Sequence, residues 1–109
     1  MLDWEQIKTL QDQVGAEDFD EIVELFLEET QEIIDRLKAS ITPNTLEEEL
    51  HFLKGSALNL GFRALSNLCQ VGEAQSAQGN AQEVALDPVI TCYETSKEVF
   101  LRDMKSTLG

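Results

Sequence analysis

The chain has 109 residues, 42% of them hydrophobic and 27% charged, the balance of one globular domain with one core. Its 21 acidic and 8 basic residues leave a formal net charge of −13, which disfavours nucleic acid and an anionic membrane surface as partners. No apolar run reaches the roughly 18 residues of a bilayer span, and the acidic, amphipathic start MLDWEQIKTL is no secretory signal.

The whole chain reads as helices. Residues 3–14 place Trp4, Ile7, Leu10 and Val14 on one side, with Asp3 as N-cap, Gln6 three residues on, and Gly15 as the stop. Residues 18–41 carry Phe19, Ile22, Val23, Phe26, Ile33, Ile34 and Leu37 as one apolar stripe. Acids line the other face of that segment. A break follows at 40–44, where Thr42 before Pro43 is a cap-then-Pro signal and Asn44 is a competing cap. Leu46, Leu50, Leu53, Ala57 and Leu60 then form a core seam that Gly61 ends. In residues 63–79, Leu65, Leu68, Cys69, Gly72 and Ser76 share a side, and the small ones among them would admit a close neighbouring helix. Gly79-Asn80 marks a turn, and Asp87-Pro88 repeats the cap-then-Pro signal. Val89, Ile90, Tyr93, Phe100, Leu101, Met104 and Leu108 follow the helical period from there, with Lys97 as a polar exception. Short connections between such helices predict an all-α fold, an antiparallel up-and-down four-helix bundle with a short additional N-terminal helix across one end. The breaks argue against the alternative, a long coiled-coil dimer, and each stripe is narrow enough for a monomer.

Cys69 and Cys92 are too few for a disulfide framework and read as reduced thiols in a cytoplasmic protein. His51 is the only histidine, so a His-rich metal site is excluded. At about 100° per residue, the seam of its helix lies opposite His51, which therefore faces solvent near the middle of the helix. An exposed histidine is by itself ordinary surface, but its neighbours change the reading. Gly55, one turn on, sits inside a helix where glycine costs about 1 kcal/mol relative to alanine. On the exposed face packing gives no reason for it, whereas an approaching partner would use the space. Lys54 sets an ammonium beside the ring, and Leu58 adds an apolar group. Neutral imidazole is a good nucleophile near physiological pH, and Lys54 could balance a phosphoryl group on its nitrogen. Acyl transfer fits poorly, because Ser56 is turned to the side of the helix and Cys69 lies on an apolar stripe.

The segment His51-Phe-Leu-Lys54-Gly55-Ser56-Ala57-Leu-Asn59-Leu-Gly61 resembles the signature of histidine-containing phosphotransfer (HPt) domains of two-component phosphorelays. That pattern is His, Lys-Gly three and four residues on, a small pair, and Gly at ten. Leu50 stands where the family often has a small residue. Chain length and the bundle reading extend the likeness to one domain over residues 1–109. The resemblance implies that His51 accepts a phosphoryl group from a receiver-domain phospho-aspartate and passes it to another receiver aspartate. Lys54 would assist electrostatically and Gly55 would leave room for the partner. Glu73 of the next helix would orient Lys54 or His51, although the family more often has an amide near that place. The partners implied are response-regulator receiver domains, with a hybrid histidine kinase as a candidate donor. Any Mg²⁺ would sit on the receiver, with no cofactor or metal bound here. No P-loop or other ATP-binding motif is present, so the expectation is a phosphoryl carrier and not a kinase.

Residues 1–49 hold 15 acids and 3 bases, and residues 50–109 hold 6 acids and 5 bases. The acidic run is either a solvated face that confers solubility or a surface that steers a basic partner. Leu25 points away from the stripe of its segment and would extend an apolar docking surface with Leu58. Two other readings stay open: a non-catalytic adaptor that binds receivers without transfer, and a phosphoryl-accepting domain excised from a chemotaxis-type histidine kinase. The start at Met1 and the end at Leu108-Gly109 suggest a complete small protein.

Overall fold

A computed structural model describes residues 2–39, 43–80 and 84–108. Among them there are five helices and no strand: α1 (Trp4–Val14), α2 (Ala16–Ala39), α3 (Pro43–Asn59), α4 (Arg63–Ala77) and α5 (Leu86–Leu108). The Thr42 cap lies outside the described residues.

Local chemistry sets the ends. The Asp3 carboxylate accepts the Gln6 amide at 3.1 Å and caps α1. Gly15, at φ 87°, ends α1 with its amide on the Gln11 carbonyl. Its own carbonyl accepts the Phe19 amide at 3.0 Å, so α2 starts at Ala16, two residues before the start expected from its stripe. Pro43 takes the first position of α3, where its missing N–H costs nothing. Asn44 is then the second helical residue and not, as its spacing to Glu47 suggested, the residue that precedes the helix. Two Schellman turns end α3 and α4. Phe62 N donates to Ala57 O and Gly61 N to Leu58 O in the first, and Asn80 N to Gln75 O and Gly79 N to Ser76 O in the second. Gly61 is at φ 72° and Gly79 at φ 86°, the left-handed region that such turns require. Helix α5 begins at Leu86, ahead of the Asp87 cap read from the sequence, so Asp87 lies within its first turn.

One core joins the helices. The α3 seam is buried in full, with Phe19, Val23, Ile33, Ile34 and Leu37 of α2, Leu65 and Cys69 of α4, and Val89, Tyr93 and Phe100 of α5. Thr30 is buried on the α2 stripe, its hydroxyl donating to the Phe26 carbonyl at 2.7 Å. Trp4 stacks on Phe100 at 6.0 Å between ring centres, and the Asp3 amide donates to the Gly61 carbonyl at 2.7 Å. Helix α1 is thereby tied to α5 and to the α3–α4 turn. The closest partners are α3 and α4. Gly72 makes this possible, because a Cβ there would stand 2.9 Å from Leu50 Cδ1. Leu101 departs from the stripe expected of it: it is 50% exposed, because α5 does not close on α2 along that part of its length.

Candidate functional site

Helix α3 turns its seam into the core and sends His51 outward, with a side chain 61% exposed. One turn further on, Gly55 is exposed, and a Cβ built there would meet nothing within 4 Å. Lys54, half-buried on the side of His51 away from Gly55, leans toward α4. The close α3–α4 approach at Gly72 brings the next residue, Glu73, against both side chains. Glu73 Oε1 is 2.9 Å from His51 Nδ1, and Oε2, shielded from water, is 2.8 Å from Lys54 Nζ. One carboxylate thus bridges an imidazole and an ammonium that stand three residues apart on the neighbouring helix.

The electrostatics follow from that bridge. The Lys54 ammonium, and after it the His51 hydrogen bond, hold the Glu73 carboxyl below the usual glutamate range despite its partial burial. An ionised carboxylate can only accept hydrogen bonds. The 2.9 Å contact therefore calls for a proton on Nδ1, and the lone pair of the neutral ring resides on Nε2. Around the ring, Glu47, Glu48 and Glu73 line a shallow depression of about 330 Å³. Among the described residues no group of three or more His, Cys, Asp or Glu is disposed to hold a metal ion.

The other residues singled out by sequence are dispersed. Leu58 is 53% exposed and lines a separate depression with Asn59, Arg63 and Asn67. Leu25 is 49% exposed on α2 and does not line the His51 depression. Sequence reasoning passed over Phe52. Its ring is 52% exposed and meets the His51 imidazole edge-on at 6.2 Å between centres. The available signal was its outward angle, 100° from His51 and well off the seam. Cys69 is buried and its thiol is pushed up to about 12, chiefly by desolvation, so it is no nucleophile at neutral pH.

An exposed imidazole ordered by a carboxylate, beside a paired lysine and an open glycine, thus stands on the outer face of an all-α domain. The chain belongs to the Hpt domain family, whose model matches residues 21–108. No curated protein and no solved structure is detectably similar to the chain. Members of the family are phosphoryl carriers of two-component phosphorelays, not ATP-using kinases, and they interact with response-regulator receiver domains. No described helix is long and apolar enough to cross a membrane.

Proposed function

We propose that the protein is a phosphorelay carrier in which His51 takes a phosphoryl group from the phospho-aspartate of one receiver domain and delivers it to an aspartate of another. The observation that carries this reading is the Glu73 bridge, which leaves Nε2 of an exposed imidazole as the free nucleophilic atom. The Nε2 lone pair attacks phosphorus, the N–P bond forms, and the acyl-phosphate P–O bond breaks to release the aspartate carboxylate. The ring keeps its Nδ1 proton and becomes cationic. Glu73, already ionised and hydrogen-bonded at that proton, stabilises the new charge without rearrangement. Delivery to the second receiver runs the same step in reverse.

Lys54 neutralises Glu73, which lowers the repulsion that an arriving phosphoryl group meets at a site also flanked by Glu47 and Glu48. Gly55 keeps the approach to the ring open, and Phe52, Leu58 and Leu25, each about half exposed, are the apolar groups offered to the receiver. Catalysis is then positioning and charge neutralisation. Mg²⁺ and the acidic pocket belong to the receiver. The carrier is a cytoplasmic monomer, one domain in which α2 to α5 form an antiparallel four-helix bundle and α1 crosses one end.

The test is transfer from phosphorylated receiver domains with Mg²⁺ to the wild type and to His51→Gln. An acid-labile, base-stable label on the wild type alone is expected. No label from several receivers, with binding to one of them retained, would overturn transfer and leave an adaptor.

A further inference from the structure

Away from His51, the seam between α2 and α5 is joined by polar side-chain contacts at one end only among the described residues. There Tyr93 OH donates to Gln31 Oε1 at 3.0 Å, and Lys38 Nζ pairs with Glu94 Oε1 at 3.1 Å. Toward the other end the helices part around a groove of about 560 Å³. Val23, Leu27, Leu101 and Met104 supply its apolar lining. The half exposure of Leu101, unexpected for its stripe, is this opening seen from one wall.

The α2 rim is a row of exposed carboxylates, Asp20, Glu24, Glu28 and Glu32, one per turn. None of them makes an ion pair among the described residues. Like charges four residues apart on a helix repel and destabilise it, and three such pairs run along this rim. A row of cations laid beside it would reverse that cost. Among the described residues the opposite wall carries one cation, Lys97, whose ammonium lies 5.9 Å from the centre of the Tyr93 ring.

We propose that this groove is a docking site for a basic amphipathic helix of a partner protein. Its apolar stripe would enter between Val23, Leu27, Leu101 and Met104, and a flank of Lys or Arg would lie along the Asp20–Glu32 row. From Asp20 to Glu32 the rim is about 18 Å long, three turns of helix, which suits recognition of a helix in a groove. Having cations called for on the α2 flank alone fixes the direction in which the partner helix runs. A second copy of the chain is a poor occupant, since its net charge of −13 has the same sign as the rim. The groove shares no lining residue with the His51 depression, so a helix bound here leaves His51 open to a receiver.

The experiment titrates the full chain with a synthetic Leu- and Lys-based amphipathic peptide of about four turns, and with a scrambled peptide of the same composition. Expected are saturable binding of the amphipathic peptide alone and NMR shifts confined to methyls of Val23, Leu27, Leu101 and Met104. Affinity should weaken at least tenfold in Leu101→Glu and in Glu24→Lys/Glu28→Lys, while receiver-dependent labelling of His51 stays at the wild-type rate. Leu101 is half exposed, so its replacement leaves the core intact. Equal binding of the scrambled peptide, shifts centred on His51, or no binding would overturn the proposal. So would a dimer of the free chain that Leu101→Glu dissociates, which would make the second copy the occupant.

Discussion

Gly55→Ala separates fold from function at one position. Gly55 lies inside α3, its φ is not positive, it is exposed, and a Cβ would meet nothing within 4 Å. Nothing therefore offsets the helix-forming advantage of alanine, about 0.5–1 kcal/mol. For a domain of this length that raises Tm by about 2–4 °C. Urea unfolding followed by circular dichroism should show a higher midpoint with an unchanged slope. Phosphoryl transfer should move the other way, because the added group fills the approach to His51. Alanine should slow transfer a few-fold and Gly55→Leu by tenfold or more, about 1.4 kcal/mol of lost docking. A fall in Tm would mean that packing needs the glycine, against the open space found there. A rise in Tm with unchanged transfer, even for leucine, would mean that no receiver uses the opening.

Other outcomes follow from the same geometry. Transfer should fall in the order wild type, Glu73→Gln, Glu73→Ala, with alanine down about tenfold or more, because a hydrogen bond to a charged group contributes about 1.5–3 kcal/mol; equal rates in all three would remove Glu73 from the mechanism. The Glu73 carboxyl is depressed in the fold, so its stabilisation is present above the ordinary glutamate range and is lost as pH falls through the folded value. Denaturation midpoints of wild type and Glu73→Gln should therefore differ at neutral pH and converge in acid. Gly61→Ala forces a side chain to φ 72° and sets its Cβ 2.6 Å from Ile7 Cγ1 and 2.7 Å from the Asp3 carbonyl, so thermal scans should show a loss of about 2 kcal/mol or more. With its thiol at about 12, Cys69 has about one thiolate in ten thousand at pH 8, and mass mapping after a thiol reagent should find it modified only once the chain unfolds.

How far sequence reaches differs from residue to residue. The α3 seam of Leu46, Leu50, Leu53, Ala57 and Leu60 was legible, and every member is buried, because burial of one face imposes its period on the chain. The outward direction of His51 came from the same arithmetic, whereas the Asp3 cap and the Gly15 and Gly61 stops were legible from the residue types that cap and end helices. The partial misses lie where periodicity gives direction but not distance. Leu101 has the right angle on α5 to face α2, yet the two helices diverge there and leave it exposed. Phe52 escaped notice because an apolar residue beside a seam looks incidental until its ring is found against the imidazole.

Sequence alone determined the five helices, the side of α3 on which His51 stands and the absence of bulk at Gly55, since these depend on local propensity and on a repeat of 3.6 residues. Only the tertiary structure decided that Glu73, twenty-two residues from His51, bridges His51 and Lys54 and thereby leaves Nε2 as the free nitrogen. That contact depends on how closely two helices approach at Gly72, a distance set by packing in three dimensions and written in no single stretch of the chain.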